Sequence, residues 1–196
     1  MAHELEAIFS PRSVAVLGAS TTKGKVGYDI FANIIKGGFT GTLYPVNPTA
    51  NAILSNKAYK SILAIPEPVD LAIVILPPKL ALPAIAEVIE KGVKGVVIVS
   101  AGFREVGGEG REIEDRIVAQ CREAGVRLVG PNCLGVINPI EGVRLNASFS
   151  KRMPQPGNIS FISQSGALCT SVLDFAADRD FGFSKFISIG NKADVD

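Results

Sequence analysis

Short, continuous apolar runs recur along the first 130 residues, and longer amphipathic segments separate them. Because the runs are rich in β-branched residues and lack polar alternation, they are typical of strands buried on both faces of a parallel sheet. The runs cover residues 13–18, 41–46, 71–76, 95–100 and 126–130. The segments between them place apolar residues near i, i+3 and i+4 and end at Gly, which predicts helices. The predicted helices cover residues 25–38, 79–92 and 110–125.

Regular alternation of strand and helix predicts an α/β fold with a Rossmann-like parallel sheet, which we assign to residues 1–140. Residues 140–157 are irregular and polar, and we interpret them as a connection. A second β-α-β unit follows, so we assign residues 141–196 to a second domain. Its strands are predicted over 158–163 and 184–190, with a helix over 165–180 between them. Two strands and one helix cannot bury a core alone, so this unit either docks on the first domain or belongs to a longer protein; we favour the second interpretation.

The loop between the first strand and the first helix, "LGASTTKGKVG", indicates an anion site. Its glycine spacing fits neither the dinucleotide fingerprint nor the P-loop, whose Mg²⁺-binding hydroxyl is replaced by Val26. The amides at a helix start lack intrahelical partners and carry the positive end of the helix dipole, so they favour phosphate. An ordinary β-α turn is the alternative. The candidate residues are Ser20, Thr21, Lys23, Gly24, Lys25 and Gly27.

The region after the second strand limits which phosphate compound could bind. A dinucleotide site places an acidic residue about 20 residues after the glycine loop to hold a ribose hydroxyl. Here no Asp or Glu lies between Asp29 and Glu67. Three lysines lie nearby instead: Lys36, Lys57 and Lys60. This composition suits a phosphorylated ribose, and NADP and coenzyme A both satisfy it.

Composition narrows the class of protein further. The formal net charge is +1, which argues against a broad nucleic-acid or membrane surface. Three cysteines without a C-x-x-C motif indicate a reducing, cytoplasmic setting. The most apolar stretch, residues 71–86, is broken by Pro77, Pro78 and Lys79, so it predicts no membrane span. No cluster of His, Cys and Asp has the spacing of metal ligands, so we predict no metal site.

Six ordered blocks of the chain resemble one known family. They include "PRSVAVLGAS", "SAGFREVGGEG", "GVRLVGPNCLGVINP", "NASF", "GNISFISQSGAL" and "GFSKFISIGNKADVD". Together they are similar to the NDP-forming acyl-CoA synthetases, the superfamily that includes the α subunit of succinyl-CoA synthetase. The resemblance implies a Rossmann-like CoA-binding domain, followed by the beginning of a flavodoxin-like ligase domain. It also implies coenzyme A as the cofactor.

The resemblance assigns further residues by position. The loop residues above would hold CoA phosphates. The residues flanking the adenosine part would be Val46, Asn47 and Pro48. Those lining the nucleotide or the upper pantetheine arm would be Leu76, Pro77 and Pro78. Those near the thiol would be Ser100, Ala101, Gly102, Phe103, Asn132 and Cys133. Those facing phosphate at the second helix start would be Ser163, Ser165 and Gly166.

The chain departs from the family at the phosphoryl carrier. The family passes phosphate through a histidine of the second domain, whereas the single histidine here is His3, in the N-terminal tail. We therefore expect no catalytic residue in this chain and no activity from it alone. ADP or ATP, Mg²⁺ and an ATP-grasp domain or β subunit would complete the enzyme, and a homo-oligomer is compatible with this arrangement.

Three functions remain open from the sequence. The leading one is the CoA-binding portion of an ADP-forming acyl-CoA synthetase, which interconverts acyl-CoA, ADP and phosphate with acid, CoA and ATP. The second is a non-catalytic CoA-sensing module, as in relatives fused to a lysine acetyltransferase. The third is an NADP-dependent oxidoreductase. Glu105 and Asp194 are candidate polar neighbours of the reacting groups, although the sequence offers neither of them a partner.

Overall fold

A computed structural model describes residues 5–179 and 181–195. Its strands are β1 (Ser13–Leu17), β2 (Thr42–Val46), β3 (Ala52–Ile53), β4 (Asn56–Lys57), β5 (Leu71–Val74), β6 (Gly95–Ile98), β7 (Arg127–Val129), β8 (Gly135–Asn138), β9 (Leu145–Ser148), β10 (Pro156–Ser163) and β11 (Phe183–Ser188). Its α-helices are α1 (Glu6–Phe9), α2 (Val26–Gly37), α3 (Pro78–Glu90), α4 (Gly108–Glu123) and α5 (Gly166–Ala177). His3 and the predicted helix end at residue 180 lie outside the described residues.

The first sheet is parallel, with the strand order β2-β1-β5-β6-β7. This is the doubly wound arrangement that the sequence predicts. Every residue of β1, β5 and β6 is buried, as expected for strands covered on both faces. Alternate residues therefore enter two separate cores. Ala15 packs with α3 and α4 on one face, and Val14 packs with α1 and α2 on the other.

A second, mixed sheet follows the order β10-β11-β8-β9. Strands β10 and β11 are parallel, as in the predicted β-α-β unit, but β11 also pairs antiparallel with β8. The second unit therefore docks on strands that directly follow the first sheet. Helix α5 covers it through a small core built around Leu173, Phe183 and Phe186.

The expectation that residues 140–157 form an irregular connection is wrong for β9. All four residues of Leu145–Ser148 are buried, and the strand pairs with β8. The polar residues Asn146 and Ser148 gave this segment the composition of a loop. In the structure their side chains bond to each other, with Ser148 Oγ donating to Asn146 Oδ1 at 2.7 Å, so a polar pair is tolerated in the interior.

The segment after β11 runs along the outer edge of β7. Ala193 N donates to Gly130 O and Val195 N donates to Leu128 O, both at 3.1 Å. Asp194, whose side chain is 8% exposed, pairs with Arg127 at 2.9 Å. This segment satisfies backbone groups that β7 would otherwise present at an open sheet edge.

Candidate functional site

The carboxyl ends of the parallel strands meet at one edge of the sheet. Strand order reverses between β1 and β5, and open α/β sheets bind ligands in the crevice at such a point. The two loops at this point are in close contact, since a Cβ added at Gly18 would lie 2.4 Å from Ile75 O. Gly18 also has a φ of +89°, so both its conformation and its surroundings require glycine.

The loop that precedes α2 is the predicted anion cradle. Lys25 is the N-cap of α2, and its side chain makes no cap hydrogen bond to the first turn. Gly27 brings the helix against the loop, because a Cβ there would lie 2.1 Å from Gly18 O. Thr22 N donates to Ser20 Oγ at 3.1 Å, which tightens the loop. The side chains of Lys23 and Lys25 are exposed around this helix start, where an anion would meet them.

Asn47 ties this loop to the end of β2. Its Nδ2 donates to Ala19 O at 2.8 Å, and its Oδ1 accepts from the amides of Thr49 at 2.9 Å and Ala50 at 2.8 Å. The sequence predicts Asn47 as a neighbour of the adenosine. In the structure its side chain is occupied in positioning the two loops that would form that part of the site. Pro48, beside it, is exposed.

The three lysines proposed to face a ribose phosphate are not together. Lys60 Nζ donates to Ala50 O at 3.0 Å, and Lys57 lies 5.2 Å from the centre of the Tyr59 ring. Tyr59 bridges Val46, so both lysines lie near the carboxyl end of β2. Lys36 lies in the last turn of α2, about 15 Å along the helix from the cradle. Lys36 is therefore outside the site.

A cavity of about 410 Å³ lies between the two sheets. It is lined both by residues predicted to lie near the thiol of CoA and by a residue predicted to face phosphate. Ser100, Ala101, Asn132 and Cys133 come from the predicted thiol end, and Gly166 comes from the predicted phosphate-facing segment. Gln164 also lines the cavity and was not singled out in the sequence, although it lies between two residues that were. The remaining lining residues are Val26, Ile75, Val99, Leu134 and Phe149.

A second cavity, of about 500 Å³, lies between the loop after β5 and the start of α4. Pro77 and Pro78 line one side of it, and Gly102 and Val106 line the other. The predicted pantetheine-lining residues Pro77 and Pro78 thus lie opposite Gly102, which belongs to the predicted thiol end. Leu76 is half-buried and packs against the core beneath them.

Two predicted contact residues have side chains inside the core. Phe103 is fully buried, and Val46 is buried in the same cluster. At these two positions the backbone is the part available to a ligand, and their placement beside CoA stays a prediction. Apolar strand-end residues look alike in sequence whether they face the crevice or the core.

A carboxylate network holds the loop of residues 100–103. Glu105 Oε1 accepts from the amides of Gly102 and Phe103, and its Oε2 accepts from Asn191 Nδ2 at 2.7 Å. Asn191 Nδ2 also donates to Glu114 Oε2 at 2.9 Å. Burial raises the pKa of Glu105, but the hydrogen bonds from Asn191 and the loop amides outweigh it, so the pKa lies below its usual value.

Glu114 was missed in the sequence because it lies in a charged helix pattern typical of a solvated face. Its side chain is only 1% exposed and forms an ion pair with Arg104, 2.9 Å between Nε and Oε1. Asn191, which comes from the second unit, was missed as well. One feature of the sequence does indicate the network. Glu105 lies three residues after Gly102, so its carboxylate can accept a hydrogen bond from the Gly102 amide.

The cysteines are not poised for nucleophilic chemistry. Cys133 is 5% exposed, and its Sγ donates to Ile98 O at 3.3 Å. Burial raises the pKa of this thiol to about 12. It is therefore a thiol, with no thiolate character at neutral pH. Cys121 and Cys169 are buried as well.

The start of α5 is capped by its own serines. Ser165 Oγ accepts from Leu168 N at 3.2 Å, and Ser163 Oγ accepts from Ser165 N at 3.0 Å. These bonds use acceptor lone pairs, so the Ser165 hydroxyl keeps a proton to donate, whereas the Ser163 hydroxyl also contacts the thiol of Cys169. A Cβ added at Gly166 would meet nothing within 4 Å, so the helix start faces open space.

Residues 5–179 and 181–195 contain neither a cluster of metal ligands nor a membrane-spanning helix. No group of three or more His, Cys, Asp or Glu side chains among them could hold a metal ion. None of the helices in this part of the chain is long and apolar enough to cross a membrane.

The fold and the crevice define a doubly wound domain of the nucleotide- and cofactor-binding class. Residues 12–139 match the CoA binding domain family, and the chain belongs to that family. Residues 156–196 match the succinyl-CoA ligase like flavodoxin domain. Both matches confirm the family resemblance and the predicted succession of a Rossmann-like and a flavodoxin-like fold.

Known proteins resemble the chain over nearly its whole length. It is 47% identical to acetate–CoA ligase [ADP-forming] I of Archaeoglobus fulgidus, over 98% of this chain and 27% of that protein. It is 43% identical to acetate–CoA ligase [ADP-forming] I subunit alpha of Pyrococcus furiosus, over 98% of this chain and 42% of that one.

One solved structure also resembles the chain over nearly its whole length. The dinucleotide-forming acetyl-coenzyme A synthetase 1 of Ca. Korarchaeum cryptofilum, in complex with phosphate and ADP, is 38% identical to this chain. The TM-score is 0.92, and the match covers 98% of this chain and 40% of that one. The chain thus spans less than half the length of each of these relatives.

Proposed function

We propose that this chain is the CoA-binding portion of an ADP-forming acyl-CoA synthetase. The reaction is acyl-CoA + ADP + phosphate ⇌ carboxylic acid + CoA + ATP. The observation that carries the proposal is the cavity between the two sheets, where Ser100 and Asn132 face Gln164 and Gly166. A thioester held from one side would there meet a phosphate held at a helix start from the other.

The residues of this chain bind and orient the reactants. The exposed side chains of Lys23 and Lys25 and the amides of the first turn of α2 would hold the CoA phosphates. Asn47 keeps the loops of the crevice together. A phosphate oxygen attacks the thioester carbonyl, the C–S bond breaks, and the sulfur leaves with its electron pair as CoA. The amides and serine hydroxyls at the start of α5 would stabilise the phosphate and the developing negative charge.

The rest of the reaction needs groups that this chain lacks. The acyl phosphate must pass its phosphoryl group to a histidine and then to ADP, and the one histidine here is His3. We therefore assign the phosphohistidine, the ADP site and its Mg²⁺ to other parts of the protein. An ATP-grasp domain or a β subunit would be the partner, and one relative is itself named as an alpha subunit.

Calorimetric titration of this chain with CoA tests the proposal. Saturable CoA binding is expected, and Lys25→Ala should weaken it about tenfold because a charge-assisted phosphate contact is lost. Lys36→Ala is the matched control, since it removes the same charge at the far end of α2. NADPH serves as the competing ligand. Saturable NADPH binding without CoA binding would favour the oxidoreductase instead.

A further inference from the structure

The loop of residues 100–103 contains a pair of amides that is suited to an anion and is filled by a side chain of the protein itself. The successive amides of Gly102 and Phe103 both donate to one carboxylate oxygen, Glu105 Oε1. Gly102 has a φ of +101° and Phe103 a φ of −98°. Successive amides in a turn of this kind form a concavity that binds anions, called a nest. Glu105 therefore occupies a nest formed by its own loop.

The nest and the carboxylate in it are held from several sides. Asn191 Nδ2 donates to Glu105 Oε2 at 2.7 Å, so both oxygens of the carboxylate have donors. The side chain of Phe103 is fully buried and anchors the loop in the core. Gly110 brings the first turn of α4 against the loop, because a Cβ there would lie 2.4 Å from Gly102 O. The shape of the loop thus depends on Glu105 at its open side.

The carboxylate in the nest has no cationic partner among residues 5–179 and 181–195. Arg104, the adjacent basic residue, pairs instead with Glu114 at 2.9 Å and with Asp115 at 2.6 Å. Burial raises the pKa of Glu105, but the bonds from Asn191 and the loop amides lower it more, so the group is ionised at neutral pH. The amides of the nest therefore face a full negative charge, which would repel a second anion.

The position of the nest makes this repulsion relevant to the proposed function. Ser100 and Ala101, just before the nest, line the cavity to which we assign the substrate phosphate. An unfilled nest beside that cavity would attract phosphate. Ala101 is exposed, and its backbone amide and carbonyl form no hydrogen bond with any residue that the structure describes. A neutral ligand that carries amide groups, as the thiol-bearing arm of CoA does, could bond to them.

We propose that Glu105 is a positioning residue that fills the nest, so that the loop of residues 100–103 accepts the neutral, thiol-bearing arm of CoA and excludes phosphate. This inference rests on the proposed function, because the CoA must first be held by its phosphates. Within that function it explains how two substrates are kept apart: the arm lies along the loop, and the phosphate is left to the start of α5.

The first test asks whether Glu105 acts on the arm of CoA. Calorimetry compares CoA with 3′-phosphoadenosine 5′-diphosphate, which has the nucleotide part of CoA but lacks the arm. Glu105→Ala should weaken CoA binding about fivefold, because the loop loses the bonds that shape it. The same variant should leave the affinity for the nucleotide unchanged, a separation that general destabilisation of the protein would not produce.

The second test asks whether Glu105 excludes phosphate. CoA affinity is measured in inorganic phosphate and in sodium chloride at equal ionic strength. Phosphate should weaken CoA binding at least about threefold more in Glu105→Ala than in the unsubstituted chain, because it competes for the emptied nest by mass action.

Two further variants serve as controls. Glu105→Gln keeps an oxygen that can accept from both amides, so it should lose less CoA affinity than Glu105→Ala and remain insensitive to phosphate. Glu112→Ala removes the same charge from an exposed position of α4 and should change neither result. Thermal unfolding of each variant verifies that it is folded.

The outcomes separate this inference from the proposed function. If CoA binds but Glu105→Ala does not weaken it, or weakens the nucleotide equally, the positioning role is overturned while the CoA site stands. An equal effect of phosphate on the unsubstituted chain and on Glu105→Ala overturns the exclusion. If the chain does not bind CoA at all, the proposed function falls; a phosphate titration then still tests the nest, since Glu105→Ala should bind one phosphate more than the unsubstituted chain.

Discussion

Asn191 Nδ2 donates to two carboxylates at once, to Glu105 Oε2 at 2.7 Å and to Glu114 Oε2 at 2.9 Å. Asn191 follows β11 of the second unit, whereas both glutamates belong to the first. Its Oδ1 lies 3.4 Å from Asn132 Nδ2, on the loop after β7. One amide side chain therefore connects the second unit to the two loops that would hold the thiol end of CoA.

Asn191→Ala should loosen these loops and destabilise the fold. The substitution removes a donor from the buried Glu114, so we expect a loss of about 1–3 kcal/mol of unfolding free energy. CoA should also bind more weakly, because residues 100–103 lose part of their support. Urea denaturation and CoA titration measure the two effects.

Asn56→Ala is the control for this substitution, because the half-buried Asn56 side chain donates only locally, to Leu54 O at 2.8 Å. It should change unfolding free energy by less than about 0.5 kcal/mol. Equal effects of Asn56→Ala and Asn191→Ala would rule out the connecting role of Asn191.

Asp194 should make the stability of the chain depend on pH. Burial raises its pKa, but hydrogen bonds from Arg127 and Leu128 N and the nearby guanidinium charges lower it more, so the folded pKa lies below the usual value. Its stabilisation is therefore complete above the unfolded pKa of about 3.9 and is lost as the pH falls through the lower folded value. The temperature midpoint of unfolding, measured from pH 6 down to pH 2, should therefore decrease once the pH falls below about 3.9.

Asp194→Asn is the comparison for that experiment. It keeps the size of the side chain but cannot ionise, so it should be less stable near pH 6 and show a flatter pH profile. An unchanged profile in the variant would assign the acid sensitivity to other carboxylates, such as Glu105, whose pKa is also lowered.

The strands of the first sheet were predictable because their sequence shows burial on both faces. The run "LAIVIL" contains β5, and "GVVIVS" contains β6, each within two residues of its observed end. Strand β9 could not be predicted, because a short strand with Asn146 and Ser148 facing a buried network has the composition of a loop. Its burial depends on Asn33, more than 100 residues earlier in the chain.

The shape of the loop before α2 was predictable because it depends on local sequence, whereas the contacts that hold residues 100–103 were not, because they join distant parts of the chain. The cradle before α2 is marked by Gly18, Gly27 and the adjacent lysines. The network of Glu105 depends on Asn191, 86 residues away, and no periodicity or motif connects the two. Likewise, Phe103 resembles a loop residue in sequence, but the packing of α3 and α4 draws it into the core.

Gly27→Ala should destabilise the chain strongly. The added Cβ would lie 2.1 Å from Gly18 O, a backbone atom, so the helix or the loop must shift. We expect a loss of about 1–3 kcal/mol together with weaker CoA binding, because the cradle is displaced. Gly166→Ala is the matched control at the start of α5, where the space is open; it should change stability by no more than about 1 kcal/mol. Thermal unfolding of both variants measures these losses. A Gly27→Ala protein as stable as the original would contradict the close approach of Gly27 to Gly18 O.

The cysteines should resist modification in the folded chain. Cys121 and Cys133 are buried and have pKa values raised to about 12 by that burial, and Cys169 is buried with a raised pKa. At pH 8 an aromatic disulfide reagent should therefore react slowly with the native protein and rapidly in denaturant, where three thiols become available. Rapid reaction of one thiol in the native protein would show that a cysteine is more exposed than the structure has it.

The lysines near the end of β2 should recognise the phosphate on the ribose of CoA. Lys60 and Lys57 lie near this strand end, whereas Lys36 lies at the far end of α2. Lys60→Ala and Lys57→Ala should each weaken CoA binding by about two- to fivefold, as for an exposed charge pair, and leave the affinity for 3′-dephospho-CoA unchanged. Lys36→Ala should alter neither affinity.

Because such contacts are screened by salt, the difference in affinity between CoA and 3′-dephospho-CoA should shrink between 0.05 M and 0.5 M NaCl, as measured by calorimetry. If Lys36→Ala weakens CoA binding as much as Lys60→Ala does, the effect is one of net charge and no specific phosphate site lies beside β2.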